Sequence, residues 1–553
     1  MIANRHITKI IAVLMAACVF LCFAAMVWSD KLSEAMGGTG VSMEYEDELF
    51  NTDEIISIDI LMDEDEWNEM LSNAISEEYY VCDVVVNGVT FENVAIRPKG
   101  NTSLSSIAMD PDTDRYSLKL EFDHFNSGQT CFGLDKLILN NNYADATNMK
   151  EAIVYDMFEY LDADASLYNY ASVSVNGEYW GVYLALEGVE QSFMLRNYGT
   201  QDGELYKPES MEMGGALGEG DESGRGFPGG SFGDSNHGDF EDMPDMDGFD
   251  PEKFDFGDMK PPSGFGGGFG GGSDGAHEDF DPSEMGSFSF GSGGANLNYT
   301  DEDLDSYQTI WDGSITDSGD KDHKRVVKAL KNISEGTDLE KYLDIDNVLK
   351  YMAVHAFVVN MDSLSGSMAH NYYLYEYDGQ LNIIPWDYNL SLGGMENGGE
   401  DATSTINDAI DTPFSSTEFF DTLLENEEYL EKYHEYLNML VEEYVYGGRF
   451  DEVYNRIRSQ IDELVETDPT AFYTYDEYTE AADMLYDVIY LRAESVKGQL
   501  DGSIPSTDAS QKEDSTALID ASGIDLKVMG SMNMGGGDGE GFGPGEGDFP
   551  ERP

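Results

Sequence analysis

The stretch NMDSLSGSMAHNYYLYEYDGQLNIIPWDYN, from Asn360 to Asn389, places an acid at either end of a hairpin. Asp362 follows an apolar helical run, AVHAFVVN, and Asp387 follows the strand-like LNIIPW, with Asn371 between them. Acids in such places either cap and solvate turns or hold something that needs oxygen ligands. Phosphoryl transfer needs little covalent help from a protein: it needs divalent ions on the phosphates and a carboxylate that orients the acceptor hydroxyl. Magnesium takes one or two carboxylates together with phosphate and water. The order Asp362, Asn371, Asp387 suits that chemistry, and the turn-capping alternative stays open beside it.

The part before this stretch can be searched for the complementary half. A kinase site requires a strand lysine for the phosphates and a helix glutamate to hold it. Lys119 stands in the alternating strand pattern RYSLKLEF, and Glu151 opens the helical pattern NMKEAIVYDMF, with Asn148 as its cap. A Lys119–Glu151 ion pair is one reading; two surface charges is the other. RPKGNTS, Arg97 to Ser103, is a tight turn carrying Gly100, the cations Arg97 and Lys99 and two hydroxyls, whose backbone amides suit a phosphate. It is neither GxGxxG nor a Walker A loop. His370 is a candidate general base beside Asn371, and Glu187 and Glu190 are candidates for ribose contact.

Working outward, the 553 residues carry 30 Lys+Arg against 109 Asp+Glu, a formal net charge of −79. Such a polyanion repels nucleic acid, whose binding rests on basic groups, and attracts cations. Residues 10–28 form an apolar run of about the length that crosses a bilayer. Arg5 and Lys9 precede it, so the expectation is a single-pass membrane protein with its bulk extracytoplasmic, or a secreted one if residues 1–30 are a cleaved signal. Cys82 and Cys131 are the pair beyond that run, free to be bonded or to be buried thiols. No cysteine–histidine pattern suggests zinc.

After a polar spacer, 31–50, residues 51–208 read as mostly β, with Asn-Gly turns inside EYYVCDVVVNGVTFENVAIRPKG and YASVSVNGEYWGVYLALEGV. Residues 209–297, rich in Gly, Asp, Phe and Met, are too poor in branched aliphatics to offset ordering entropy and read as a disordered insert. Residues 298–500 are mainly helical, by their apolar stripes, and 501–553 read as a disordered acidic tail.

The blocks AIRPKGNTS, RYSLKLEF, NMKEAIVYDMF, NGEYWGVYLALEGVE, MDSLSGSMAHNYYLYEYDGQLNIIPWDYNLSLGG and LRAESVKGQL occur in one order. Together they resemble the CotH family of spore-coat-type secreted kinases. The resemblance implies an α+β, two-lobed atypical protein-kinase-like fold, with a β-rich N-lobe at 51–208 and a helical C-lobe at 298–500. It implies transfer of phosphate from ATP, with Mg2+ or Mn2+, to Ser or Thr of secreted or surface proteins. Carried onto this chain, Asp362 is the catalytic-loop acid, Asp387 is a metal ligand, Asn371 is a metal ligand or organises the loop, and Lys119, Glu151, Arg97, Lys99 and Gly100 bind the nucleotide, the last three as a phosphate-facing turn. The chain departs from the pattern in places: NMD stands for HRD, Asp362 and Asn371 are further apart than in the usual kinase loop, and Asn389 replaces a second acid.

Two other classes compete. A kinase-like scaffold or adhesin would use the acidic Phe/Met-rich insert as its contact element. A glycan hydrolase would use Asp362 and Asp387 as paired acids, which requires their carboxyls to lie about 5–10 Å apart.

Overall fold

The computed structural model describes residues 41–208, 293–366, 368–396 and 402–533. Within them the first half of the chain runs β1 (Ile56–Leu61), α1 (Glu64–Ser72), β2 (Tyr80–Val86), β3 (Val89–Lys99), α2 (Thr102–Met109), β4 (Ser117–Glu121), β5 (Lys136–Asn140), α3 (Lys150–Tyr160), β6 (Tyr168–Val175), β7 (Glu178–Glu187), α4 (Gln191–Tyr198) and β8 (Glu204–Tyr206). The second half runs α5 (Asp320–Ser334), α6 (Ile345–Val358), β9 (Tyr372–Tyr377), β10 (Gln380–Pro385), β11 (Met395–Glu396), α7 (Glu427–Asn438), α8 (Arg449–Glu466), α9 (Tyr475–Asp501) and β12 (Met532–Asn533).

The strands close into a barrel in the order β1-β2-β3-β4-β5-β7-β6. Closure comes from β1, which pairs antiparallel with β2 and parallel with β6, Ile56 opposite Ala171 and Ile60 opposite Val175. Alternation along each strand then gives every second residue to the interior. Ile56, Ile58, Ile60, Val84, Val86, Ile96, Leu118, Leu120, Leu137, Leu139, Val173 and Tyr183 fill one buried cluster. The intervening Ile138, Tyr168, Tyr170, Val182, Leu184 and Leu186 belong to a second cluster, shared with α3, α6 and the helices that follow. The hairpins β2–β3 and β6–β7 turn at Asn87-Gly88 and Asn176-Gly177, all four residues at positive φ, as a two-residue turn of that hand demands.

These pairings correct the expected fold class. The two-lobed kinase-like arrangement is not what forms: the β part is a closed seven-stranded barrel, its outer face shares one core with the helices, and the described residues fall in a single compact unit of mixed α/β character. The membrane placement is corrected as well. Among the described residues no helix is long and apolar enough to cross a membrane. The run at 10–28 on which that expectation rested lies outside the described residues, as do 209–292 of the expected insert and 534–553 of the expected tail.

Finer readings also change. The end of the expected spacer holds a short helix, Glu44–Glu48, whose Tyr45 is fully buried with its hydroxyl on Glu187. The expected disordered tail is ordered through Asn533: the Ala146 amide donates to the Met529 carbonyl, and the Met532 amide to that of Gly394. Cys82 and Cys131 are buried free thiols. Asn148 does not cap α3: the cap position is Met149, and the amide of the first helical residue, Lys150, donates to the Asp145 carboxylate at 3.1 Å.

Arg115, just ahead of β4, locks the barrel to the turn after α8. Its guanidinium meets Asp468 at 2.5 Å and Thr470 at 3.0 Å and also donates to the Val182 carbonyl. Asp468 accepts in addition from the Val182 amide at 3.0 Å. Both charged side chains are only 2% exposed. Removing one member of a buried pair strands the other, so Asp468→Ala should lower unfolding free energy by about 3–5 kcal/mol, read by urea denaturation.

Candidate active site

The hairpin β9–β10 lies in a three-stranded sheet, order β10-β9-β8. Its register pairs Tyr372 with Pro385, so Asn371 and Trp386 leave the same end of the hairpin. Asn371 and Asp387 both take positive φ, 57° and 61°, which turns the chain sharply at either exit. Asn371 is tied to Asp362: its Nδ2 donates to the Asp362 carbonyl at 2.8 Å and to Oδ2 at 3.0 Å. His370 Nε2 lies 3.0 Å from Asp362 Oδ1. The loop acid is thereby held by the two residues that open the hairpin.

Asp387 faces a different set. Burial pushes its carboxyl above the usual range, Lys99 pulls it down, Asp362 pushes it up, and Lys207 and His370 pull it down. Glu151, near the start of α3, is 2% exposed. Burial, then Asp387, raise its carboxyl to about 8, against Asn140 and Lys99. Lys99, the last residue of β3, is pulled below the ordinary lysine value by burial, while Asp387 and Glu151 pull it up. Its Nζ donates to Asn140 Oδ1 at 3.0 Å, and Asn140 Nδ2 donates to Glu151 Oε2 at 2.8 Å. Lys99 also lies over the Trp386 ring, 5.8 Å from its centroid.

Thus the structure brings Asp362, Asn371, Asp387, Glu151 and Lys99 together. It does not bring Lys119 to Glu151, and the ion pair read from the sequence is corrected. Register decides this. Arg97 pairs with Lys119 across β3 and β4, and Lys99 with Ser117, so Lys119 lies further from the strand end that faces α3. Its neighbours are Lys136, Arg97, Glu121 and Glu190, with the Tyr79 ring 6.0 Å away, and burial with the two cations lowers it to about 7. Arg97 is engaged by Glu77 and acts on Lys99 only at a distance. Gly100 has φ 131°, and a Cβ there would meet Ser103 Oγ at 2.9 Å, so the turn after Lys99 requires glycine. Glu187 accepts from Tyr45, Arg196 and the Leu167 amide, and Glu190 pairs with Lys136.

Sequence reasoning missed Asn140, Lys207 and His355. Asn140 ends LILN as an ordinary strand polar residue, and Lys207 closes the β8 segment; neither carries a local signal. His355 lies inside α6 and is fully buried, its imidazole lowered by burial to about 3 and so neutral. Ser365 donates its proton to the Asn360 carbonyl at 2.6 Å. His355 Nε2 therefore donates to Ser365 at 2.9 Å, and Nδ1 accepts from Tyr388 at 3.1 Å. This chain joins the Asp362 loop to the residue after Asp387. Arg492 closes the end of α6, donating to the Ala356 and Phe357 carbonyls at 2.8 and 3.0 Å.

A strand lysine, a helix glutamate, a loop acid and a second acid beyond a hairpin are thus gathered in one cluster. The chain belongs to the family described as CotH kinase protein, which matches residues 96–248 and 278–496, more than half of its length. No curated protein matches the chain. Kinase membership implies, in general terms, ATP and a divalent metal. Among the described residues no three His, Cys, Asp or Glu side chains are grouped to hold a metal. The oxygen donors present are Asp387, Asp362 and the Asn371 amide, with Glu151 Oε1 buried and making no hydrogen bond of ordinary geometry. That set fits magnesium or manganese shared with phosphate oxygens rather than a cage built by protein alone.

The Glu151 carboxyl has a testable consequence. Native Glu151 keeps its proton up to about 8, against an ordinary 4.5. Between those values the native state binds more protons than the unfolded one, so this group's contribution to stability declines as pH rises. Glu151→Gln should therefore flatten the stability–pH profile across that window, measured by urea unfolding at stepped pH.

Proposed function

We propose that this chain is an active protein kinase that transfers the terminal phosphate of ATP to serine or threonine hydroxyls of protein substrates. The observation that carries the reading is the convergence of Lys99, Glu151, Asp362, Asn371 and Asp387, from separate strands, helices and loops, on one cluster of mutually acting charges. Lys99 binds the ATP phosphates, in the role the sequence assigned to Lys119. Asp387 and Asn371 would hold a divalent ion, Mg2+ or Mn2+, whose charge would offset that of the phosphate oxygens. Asp362 orients the acceptor hydroxyl and takes its proton as the oxygen–phosphorus bond forms and the bond to ADP breaks. His370 and Asn371, both on Asp362, fix its direction. The Gly100 turn lies next to Lys99 and contributes backbone amides to the phosphates.

Labelled-ATP transfer to a serine-rich protein acceptor, with manganese or magnesium, tests this. Asp362→Asn and Asp387→Asn should each cut transfer by roughly 10²–10⁴-fold, with melting temperatures retained. Lys99→Ala should lose far more activity than Lys119→Ala. Transfer undiminished in Asp387→Asn would sink the assignment. A wild-type chain that neither transfers phosphate nor melts higher with ATP and metal would be a scaffold instead, because a ligand specific to the folded state must raise its stability.

A further inference from the structure

We infer that Asn140 is a positioning residue: a neutral tether that aims Lys99 at its anionic partners without cancelling its charge. The inference rests on the nucleotide-site reading above and goes beyond it, since the sequence of the site suggests a direct lysine–glutamate pair. Asn140 is the last residue of β5, two strands across the barrel from Lys99 and on the same rung, because Lys99 pairs with Ser117, and Leu118 with Leu139. Its amide spans the space between ammonium and carboxyl, 3.0 Å to Lys99 Nζ and 2.8 Å to Glu151 Oε2. Chemistry fixes which way the amide faces. Lysine only donates, so the oxygen must point to Lys99, and the nitrogen is left for the carboxyl oxygen.

The electrostatic consequence separates this site from a directly paired one. A carboxylate in contact with Lys99 would hold the ammonium and neutralise it in the same stroke. The amide holds it through a dipole, while Glu151 stands one hydrogen-bonded residue away. The charge that Lys99 carries is therefore left to act on Asp387, and on phosphate when nucleotide is bound. Asn140 is 9% exposed, so water does not readily replace it as the acceptor. The same rung supports the geometry: Ser117 Oγ accepts from the Asn141 amide at 3.1 Å, and Asn141 Nδ2 donates to the Arg115 carbonyl at 2.6 Å, which pins the strand end.

A charge swap at the tether tests it, in the full chain, with Lys99→Ala as reference. Asn140→Asp keeps an acceptor of the same shape on Lys99 and makes it anionic. The melting temperature without ligand should hold or rise, while KM for ATP climbs roughly tenfold or more, the size expected when a hydrogen bond between charged groups must be displaced, and kcat changes less. The ATP–manganese melting shift should shrink in parallel. Asn140→Gln, which lengthens a neutral tether, should fall between Asn140→Asp and wild type. Asn140→Asp binding ATP as wild type does, beside a defective Lys99→Ala, would overturn the tether alone. Failure of both Asn140 variants to fold would also count against it, because the inference requires the fold to survive the swap. A wild-type chain without any ATP-dependent shift would overturn the nucleotide-site reading and this inference with it.

Discussion

Closure of the barrel through the parallel pairing of β1 with β6 is the constraint on which the remaining architecture rests. A sheet left open would have to cover its edges and could leave one face to water. Once closed, the strands have an interior that their own alternate residues fill and an exterior with no edge to protect. The outer residues of β5, β6 and β7 are then available to the helices, and Ile138, Tyr168, Tyr170, Val182, Leu184 and Leu186 join α3 and α6 in one core. Helix α3 is pressed against the barrel along most of its length, every residue from Lys150 to Phe158 being buried. A glutamate at its start has no solvent to retreat to, and Glu151 ends on Asn140, one residue from the strand lysine.

The site is built against the charge of the whole chain. With 109 acidic residues and 30 basic ones, attraction between carboxylates and a few well-placed cations is the interaction that must be rationed. Lys99 and Lys207 both act on Asp387, while Asp362 and Glu151 repel it or are repelled by it. A buried acid raised by burial and by Asp362, beside a glutamate that keeps its proton up to about 8, forms a place where an added cation relieves repulsion and a phosphate finds positive charge. Structural ion pairs elsewhere do not share this tension. Glu187 with Arg196, or Asp156 with Arg449, has its charge matched by direct contact.

How much of this could be read from the chain depends on distance along it. Asp362, Asn371 and Asp387 were legible because a single helix–hairpin–turn unit carries all three, and alternation plus turn chemistry act locally. The Asn-Gly hairpins were legible for the same reason. Barrel closure was not, since β1 and β6 are more than a hundred residues apart and parallel pairing leaves no turn signature. The choice between Lys99 and Lys119 was not legible either. Both project from the same outer face of adjacent strands, and only register puts one of them at the rung that meets α3. The acidic, glycine-rich composition toward the C-terminus predicted disorder past residue 500, yet Leu526, Met529 and Met532 pack there, two into the helical core and one into the barrel interior. Composition averages over such anchors; packing does not.

That returning segment bears on how the two acids keep their places. Met529 binds the turn that leads into α3, and Met532 binds Gly394, in the loop that follows Asp387. Gly530, between them, sits so close to Ala144 and Ala146 that a Cβ would fall 2.5 Å from the Ala144 carbonyl oxygen. On the opposite side of the same loop, the Leu392 amide donates to the Val358 carbonyl at 2.9 Å, and the His355 chain ties Tyr388 to the Asp362 loop. Asp387 is therefore fixed from behind by α6 and laterally by the strap against α3. Hydrogen bonds of this kind are individually modest, about 1 kcal/mol each. Their value lies in holding the loop from several sides at once, so that Asp387 stays beside Lys99 despite its repulsion with Asp362.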